Sequence, residues 1–289
     1  MRIDVKEILE LNDTENKLLD QYRNSHFFSV KKYIDDKTYR LSQYCETYNI
    51  DSLTVLISGG VDSAVVAAIC NRFTQEYGKK LHLVTIPETD NKGVVRQDDT
   101  VRLAHILADS LGSDLTILPL DKIVAEGARL CGLESDWGIG QTVSYFRTSL
   151  AYSYVTSLWA NGERNLLVGT TNLDEGAYIG YIGKASDCMV DLQLISDIHK
   201  SEVYQVADYL DVPEDITHSI PRGTCIMVLL MNRFLVAPMM LSNFSILYEL
   251  VWYLHRILNY GIRSSKTLRS YTPTINTNIW AAPQLFIWM

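Results

Sequence analysis

The sequence has little of several features that would point to common classes of protein. Its five cysteines form no C-x-x-C pair, which argues against a zinc site and against a disulfide framework. In its most apolar stretch only 15 residues, 234–248, lie between two charged side chains, whereas a membrane-spanning helix needs about 20. Residues 1–20 contain no apolar signal-peptide segment. A cytoplasmic protein without a membrane span is therefore expected.

An excess of positive charge is also missing. The chain carries 34 acidic and 26 basic residues, for a net charge of −8, and nucleic-acid-binding surfaces are normally basic. Its 289 residues and 47% hydrophobic content suffice for one large domain with a buried core. We therefore expect no nucleic acid among its partners.

Two common phosphate-binding patterns are missing as well, namely the Walker A pattern G-x-x-x-x-G-K-[ST] and the dinucleotide pattern G-x-G-x-x-G. A different glycine loop is present between an apolar run, 53–57, and a mostly apolar helical segment. It reads Ser58-Gly59-Gly60-Val61-Asp62-Ser63. A strand, a glycine turn and a helix in this order direct backbone N–H groups and the positive end of the helix dipole at an anion.

The carboxylate in this loop carries further information. Asp62 would repel a bound phosphate unless a Mg²⁺ ion lay between them, whereas Ser58 and Ser63 offer hydroxyl donors. The loop thus predicts a nucleotide bound together with its metal ion. The alternative role for Asp62 is a helix N-cap.

Hydrophobic periodicity predicts strands that alternate with helices. The strands are expected at 53–57, 81–86, 114–118 and 165–168, and the helices at 29–48, 62–77, 98–111, 142–159 and 202–210. This order indicates an α/β fold, a mostly parallel twisted sheet of the Rossmann-like type with helices on both faces. The loops 58–63 and 169–175 both follow strands, so they are expected to share one site at the carboxyl edge of the sheet.

The loop 58–63 resembles the pyrophosphate loop of the ATP pyrophosphatase superfamily. A second series of motifs narrows the resemblance to the ammonia-dependent NAD synthetases, over roughly residues 27–222. The series comprises Gly169-Thr170-Thr171-Asn172-Leu173-Asp174-Glu175, the segment from Gly180 to Asp187, Val190-Asp191-Leu192, and the segment from Ile195 to Val203.

The resemblance implies an enzyme that forms a C–N bond. Its members amidate deamido-NAD to NAD with ammonia through an adenylated intermediate, release AMP and pyrophosphate, and form homodimers. ATP is the co-substrate and Mg²⁺ the metal ion. Two alternatives stay open: another ATP-dependent ligase of the same superfamily acting on a different carboxylate, and a non-catalytic nucleotide-binding remnant.

Site residues follow from the resemblance, position by position. The ATP-binding set is Ser58, Gly59, Gly60, Val61, Asp62, Ser63, Thr170 and Lys200, of which Asp62 and Lys200 are expected to be catalytic. The set expected to bind deamido-NAD is Arg147, Lys184, Asp187 and Asp191. Asp62 and Glu175 are the expected metal ligands, with Asp174 as the alternative to Glu175. The alternative role for Glu175 is a surface charge, and that for Lys184, Asp187 and Asp191 is a surface ion pair.

Two departures from the family pattern stand out. One extra residue lies between Glu175 and Gly180, and Cys188 occupies a position where glycine is usual. His199, beside Lys200, is expected to be structural rather than a base. The roughly 50 residues before the first predicted strand cannot hold the amidase domain of glutamine-dependent relatives, so the nitrogen donor is free ammonia or ammonia from a separate amidase subunit.

The composition changes after Gly223, which divides the chain into a synthetase-like domain, 1–223, and an apolar tail, 224–289. The tail contains one acidic residue, Glu249, and three of the five tryptophans. We interpret it as a frameshifted translation of the family's ending, because a shifted reading of the codons for 223–240 permits the usual motif. The alternative is a divergent tail that packs as helices or at a subunit interface.

Overall fold

A five-stranded parallel sheet carries the fold, in the strand order β3-β2-β1-β4-β5. The computed structural model describes residues 28–88, 98–120, 123–179 and 185–219. In chain order the elements are α1 (Val30–Thr47), β1 (Ser52–Leu56), α2 (Val61–Tyr77), β2 (Lys80–Thr85), α3 (Asp98–Leu111), β3 (Leu115–Ile117), α4 (Ile123–Leu130), α5 (Asp136–Ala160), β4 (Asn165–Gly169), a π-helical turn (Asp174–Ile179), β5 (Leu192–Gln193), α6 (Lys200–Tyr209) and α7 (Glu214–Thr217).

The predicted α/β class, with a parallel sheet between two helical layers, is confirmed. Successive side chains of a strand point to opposite faces of the sheet. Leu83 and Val168 accordingly belong to a core with α1, α2, α3 and α6. Their neighbours Val84 and Leu167 belong to a second core with α4 and α5. Both faces of the sheet are therefore covered.

The predicted elements are confirmed with shifted ends in two helices. The helix predicted from 142 begins at Asp136, and the one predicted from 202 begins at Lys200. The earlier start of α5 was not predicted because Gly138 and Gly140 lower helix propensity. Ser135 compensates as its N-cap, since its side chain accepts a hydrogen bond from the N–H of Gly138.

The order of the strands reverses between β1 and β4, and this reversal positions the site. β1 pairs with β2 on one side and with β4 on the other. Where connections leave two adjacent parallel strands for opposite sides, a crevice opens beyond their carboxyl ends. The loop after β1, 58–60, and the loop after β4, 170–173, both lie at this crevice.

Lys184 and the tail 224–289, both singled out from the sequence, lie outside the described residues. Within the described ranges, no helix combines the length and the apolarity that crossing a membrane requires.

Candidate active site

The glycine loop is shaped by its own residues. Gly59 has φ = 80°, in the left-handed region that glycine tolerates best. A Cβ at this position would lie 3.2 Å from the Cα of Thr100 in α3. The hydroxyl of Ser63 donates to the carbonyl of Gly60 at 2.9 Å and accepts from the N–H of Ser58 at 3.2 Å. The side chain of Ser63 therefore stabilises the conformation of the loop to which it belongs.

Asp62 lies in the first turn of α2, whose N-cap is Gly60. The alternative role of N-cap therefore does not fall to Asp62. One of its carboxylate oxygens forms an ion pair with the ammonium of Lys200. The other accepts a hydrogen bond from the side-chain amide of Asn172 at 2.8 Å. The carboxylate thus faces the segments that follow β4 and that begin α6.

Glu175 and Lys200 complete a cluster of three charges with Asp62. The Nζ atom of Lys200 lies 3.8 Å from Oε1 of Glu175. Burial and the negative charge of Asp62 raise the pKa of Glu175, although Lys200 opposes this. Burial also disfavours the ammonium form of Lys200, but the two carboxylates outweigh it and raise the pKa of Lys200 above its usual range. Two carboxylates therefore share one buried cation.

Asn172 joins the two carboxylates, a role not predicted from the sequence. Its side chain is completely buried, donates to Asp62, and accepts the backbone N–H of Glu175 at 3.0 Å. A buried amide needs partners for both its ends. Asn172 lies in the motif that follows β4, and this position was a sequence signal for a functional role. The motif alone does not indicate which residues the side chain of Asn172 contacts.

Asp174 has both carboxylate oxygens engaged within the protein. One lies 2.8 Å from Nδ1 of His199, and the other accepts the backbone N–H of Lys200 at 2.7 Å. Glu175, rather than Asp174, is the carboxylate beside Lys200 and Asp62. His199 is a buried N-cap residue of α6, in agreement with the structural role expected for it.

The extra residue between Glu175 and Gly180 coincides with the π-helical turn at Asp174–Ile179. A π-turn contains more residues than an α-turn, and such turns are frequent at functional sites. The turn thus accommodates the additional residue within helical structure, while its first two residues supply the carboxylates of Asp174 and Glu175.

Asp187 interacts electrostatically with both Arg147 and Glu175. The Nε of Arg147 donates to the carbonyl of Ile86, just beyond β2, at 3.0 Å. Burial lowers the pKa of Arg147, while Glu88 and Asp187 oppose this shift. Asp187 also contributes to the raised pKa of Glu175, so its charge acts on both residues. Asp187 thus links Arg147, the other predicted dinucleotide-binding residue of this pair, to Glu175 of the site.

Asp191 is held at a different place. Its carboxylate accepts the N–H of Leu167 at 2.7 Å and the hydroxyl of Tyr152 at 3.3 Å, beside the middle of β4. Thr170 follows β4 directly and is half-buried. Cys188 is half-buried in the turn that precedes β5.

Gln193 was not singled out from the sequence, yet it organises this edge of the site. Its side chain accepts the N–H of Thr171 at 3.3 Å and donates to the carbonyl of Asp187 at 2.6 Å. It passes so close to Gly169 that a Cβ there would lie 2.4 Å from Oε1 of Gln193. Gly169 therefore leaves room for Gln193, which links the loop after β4 to the turn containing Asp187.

The donor set fits a divalent cation that is shared with phosphate oxygens. Asp62 and Glu175 provide two carboxylates with one ammonium between them. Among the described residues there is no group of three or more His, Cys, Asp or Glu side chains able to hold a metal by themselves. Mg²⁺ usually takes one or two carboxylates and completes its shell with water and substrate phosphates.

Comparisons with known proteins agree on one family. The family model for NAD synthase matches residues 33–225. The NH(3)-dependent NAD(+) synthetase of Archaeoglobus fulgidus is 34% identical over 165 residues, which cover 57% of this chain and 62% of that relative. The chain thus spans less than two thirds of the length of that curated relative.

Solved structures show the same fold. The NMN synthetase of Francisella tularensis superposes with a TM-score of 0.62 at 22% identity, and the NH3-dependent NAD synthetase of Campylobacter jejuni, solved with a nitrate ion, with a TM-score of 0.60 at 19% identity. Each alignment covers 84% of this chain and all of the other. At these identities the likeness establishes the architecture.

Proposed function

Since the chain belongs to the NAD synthase family, as the match over residues 33–225 establishes, we propose that it converts deamido-NAD to NAD. ATP and ammonia are the co-substrates, and AMP and pyrophosphate leave. The observation that carries the proposal is the cluster that Lys200 and Glu175 form with Asp62 of the loop 58–63. It supports the proposal because a buried cation and two carboxylates lie at the start of α2, where phosphates of a nucleotide would bind.

In the first step, the nicotinate carboxylate of deamido-NAD attacks the α-phosphorus of ATP, and pyrophosphate leaves. The first N–H groups of α2 have no partners within the helix, so they bind phosphate oxygens. Lys200 contributes a fixed positive charge as negative charge moves to the leaving group. Asp62 and Glu175 would hold Mg²⁺, which when bound neutralises phosphate charge.

In the second step, ammonia attacks the carbonyl of the mixed anhydride, and AMP leaves as NAD forms. No side-chain nucleophile is required, because both steps depend on charge stabilisation and on the position of the reactants. Arg147, Lys184, Asp187 and Asp191 are the proposed contacts of deamido-NAD, and Thr170 completes the proposed ATP contacts. The charge of Asp187 acts on both Arg147 and Glu175, and this supports the assignments of Arg147 and Asp187.

The remaining parts of the proposal have separate support. The proposed domain boundary after residue 223 lies close to residue 225, where the family match ends. Cys45, Cys70, Cys131 and Cys188 are free thiols, which favours a reducing cytoplasm. A homodimer is proposed from the resemblance alone. Free ammonia, or ammonia from a separate amidase subunit, is the proposed nitrogen source.

The test is an assay of the full chain with deamido-NAD, ATP, Mg²⁺ and ammonium, following NAD, AMP and pyrophosphate. We expect the three products in equal amounts and no NAD when glutamine replaces ammonium. The mononucleotide counterpart of deamido-NAD and other carboxylates serve as alternative substrates. Preference for one of those would indicate a different ligase. Binding of ATP without release of pyrophosphate would indicate the non-catalytic remnant.

The tail requires its own measurement. The intact mass of the protein purified from its natural source distinguishes the printed ending from an ending in the shifted frame. A mass equal to that of the printed sequence would overturn the frameshift interpretation. A frame-corrected chain, assayed beside the printed one, then shows what the altered tail does to ATP binding.

A further inference from the structure

Asp174 connects the two segments that carry the charged residues of the site. It directly precedes Glu175, and its carboxylate binds the residues that begin α6. Its side chain is only 1% exposed. Charge-assisted hydrogen bonds of this kind are short and about twice as strong as neutral ones. The segment carrying Glu175 is thereby fixed to the helix that carries Lys200.

Three contacts attach the segment that carries Glu175 to the start of α6. Asp174 accepts the backbone N–H of Lys200 at 2.7 Å and contacts Nδ1 of His199 at 2.8 Å. The N–H of Leu173 also donates to the carbonyl of Ile198 at 3.0 Å. A carboxylate at a helix N-terminus is favoured by the helix dipole as well. These contacts determine where the first residue of α6 stands relative to Glu175.

We propose that Asp174 and His199 are positioning residues for Lys200 and Glu175. They touch no substrate, and they act by setting the separation between the ammonium of Lys200 and the carboxylate of Glu175, 3.8 Å in the structure. A displacement of about 1 Å in such a group lowers the rate of a reaction about a hundredfold. The inference rests on the proposed function, since the reaction gives the separation its importance.

Glu202 provides a matched control. Its carboxylate is also buried, and it caps the same helix by accepting the N–H of His199 at 2.8 Å. Unlike Asp174, it does not lie beside Glu175 in the chain. Asp174→Ala and Glu202→Ala therefore each remove one buried carboxylate from the start of α6, but only the first releases the Glu175 segment.

The experiment compares Asp174→Ala, Asp174→Asn and Glu202→Ala in the full chain. We expect both alanine variants to lower the melting temperature by similar amounts. Asp174→Ala should lower kcat about a hundredfold with the KM for deamido-NAD changed less than about threefold. Asp174→Asn should recover most of kcat, because its amide can accept from the N–H of Lys200 and donate to Nδ1 of neutral His199. Equal kcat values in the two alanine variants would overturn the proposal.

A binding measurement separates this inference from the proposed function. Calorimetry with Mg²⁺ and α,β-methylene-ATP needs no turnover, and we expect Asp174→Ala to weaken binding about tenfold and Glu202→Ala less than threefold. If the wild-type chain binds but makes no NAD, the proposed function fails while this comparison still decides the inference. Equal affinities in the two alanine variants would count against positioning.

A further variant distinguishes positioning from metal binding. Asn is a favourable N-cap, so His199→Asn keeps α6 capped while it removes the contact with Asp174. We expect kcat to fall about tenfold, with an unchanged concentration of Mn²⁺ required for half-maximal binding of the analogue. If Asp174→Asn loses Mn²⁺ affinity while His199→Asn behaves like the wild type, Asp174 is a metal ligand and the proposal is wrong. His199→Asn also decides the question if Asp174→Ala does not fold.

Discussion

The carboxylate of Asp62 accepts a hydrogen bond of 2.8 Å from the side-chain amide of Asn172, which lies 110 residues further along the chain. This bond joins the first turn of α2 to the loop after β4. Because the same amide accepts the N–H of Glu175, one buried side chain fixes the positions of both carboxylates. The link makes Asn172 the first residue to test by substitution.

Replacement of Asn172 by Asp should destabilise the fold. The variant keeps an acceptor for the N–H of Glu175 but replaces the donor to Asp62 by a second negative charge. We expect the free energy of unfolding to fall by about 2–3 kcal/mol, and Mg²⁺ to restore part of it by neutralising the carboxylates. Urea denaturation with and without Mg²⁺ measures this. Asn161→Asp, at an exposed helix end, should change little, and a similar loss in both variants would contradict the prediction.

Replacement of Lys200 by Met should abolish most of the catalysis. The change removes the cation shared by Asp62 and Glu175, and loss of one such electrostatic group lowers kcat about 10²–10³-fold. Exchange of labelled pyrophosphate into ATP isolates the adenylation step. Lys37→Met is the matched control, because Lys37 is similarly buried and also pairs with a carboxylate, Asp197. Exchange that survives in Lys200→Met would show that Lys200 does not act in adenylation.

Replacement of Gly59 by Ala should weaken nucleotide binding as well as stability. Gly59 has φ = 80°, and its added Cβ would meet the backbone of Thr100 at 3.2 Å. Gly78 has φ = 65° with open space around it, so Gly78→Ala carries the backbone strain of about 1–2 kcal/mol without the collision. We expect both variants to melt earlier and only Gly59→Ala to bind the ATP analogue more weakly. Unchanged affinity in Gly59→Ala would contradict the shape assigned to the loop.

Glu163 should contribute to stability at neutral pH and lose this contribution in acid. Burial opposes its ionisation, but hydrogen bonds from Lys80, Ser52 and His82 outweigh this and lower the pKa of Glu163 to about 2. Since an unfolded glutamate has a pKa of about 4.3, ionised Glu163 stabilises the fold above that pH. The contribution is lost as the pH falls through the folded pKa.

Urea denaturation between pH 6 and pH 3 tests this expectation. Glu163→Gln should be less stable than the wild type at pH 6, with the difference shrinking toward pH 3. Glu126→Gln is the control, because Glu126 lies in an exposed pair with Arg129, and exposed pairs contribute little. A difference that stays constant with pH would show that the charge of Glu163 does not stabilise the fold.

Local signals in the sequence account for much of the fold. Gly78 and Gly112 directly follow the predicted helices 62–77 and 98–111, and both have positive φ at the ends of α2 and α3. The two-residue strand β5 was not predicted, because it has no periodicity of its own and exists by pairing with β4. The earlier start of α5 depends on a side-chain cap rather than on a hydrophobic pattern.

The candidate site, like the fold, has parts that the sequence predicts and parts that it does not. Spacing alone could not bring Asp62 to Lys200, since 138 residues separate them, but the resemblance to a family placed both near one substrate. The engagement of Asp174 by His199, and of Asn172 by Asp62, depends on which side chains face each other across two loops. Such contacts follow from three-dimensional packing, so a single sequence does not reveal them.

The strand order also has a consequence for how the protein is made. During synthesis β1, β2 and β3 emerge first, and one edge of β1 has no partner until residues 165–169 arrive. Contacts between segments so distant in the chain form slowly, and an unpaired strand edge invites association with other chains. The loop 58–63 therefore meets Lys200 only after β4 has docked. A nucleotide that bridges the two would bind only the folded chain, and by mass action it would favour the folded state over misassembled forms.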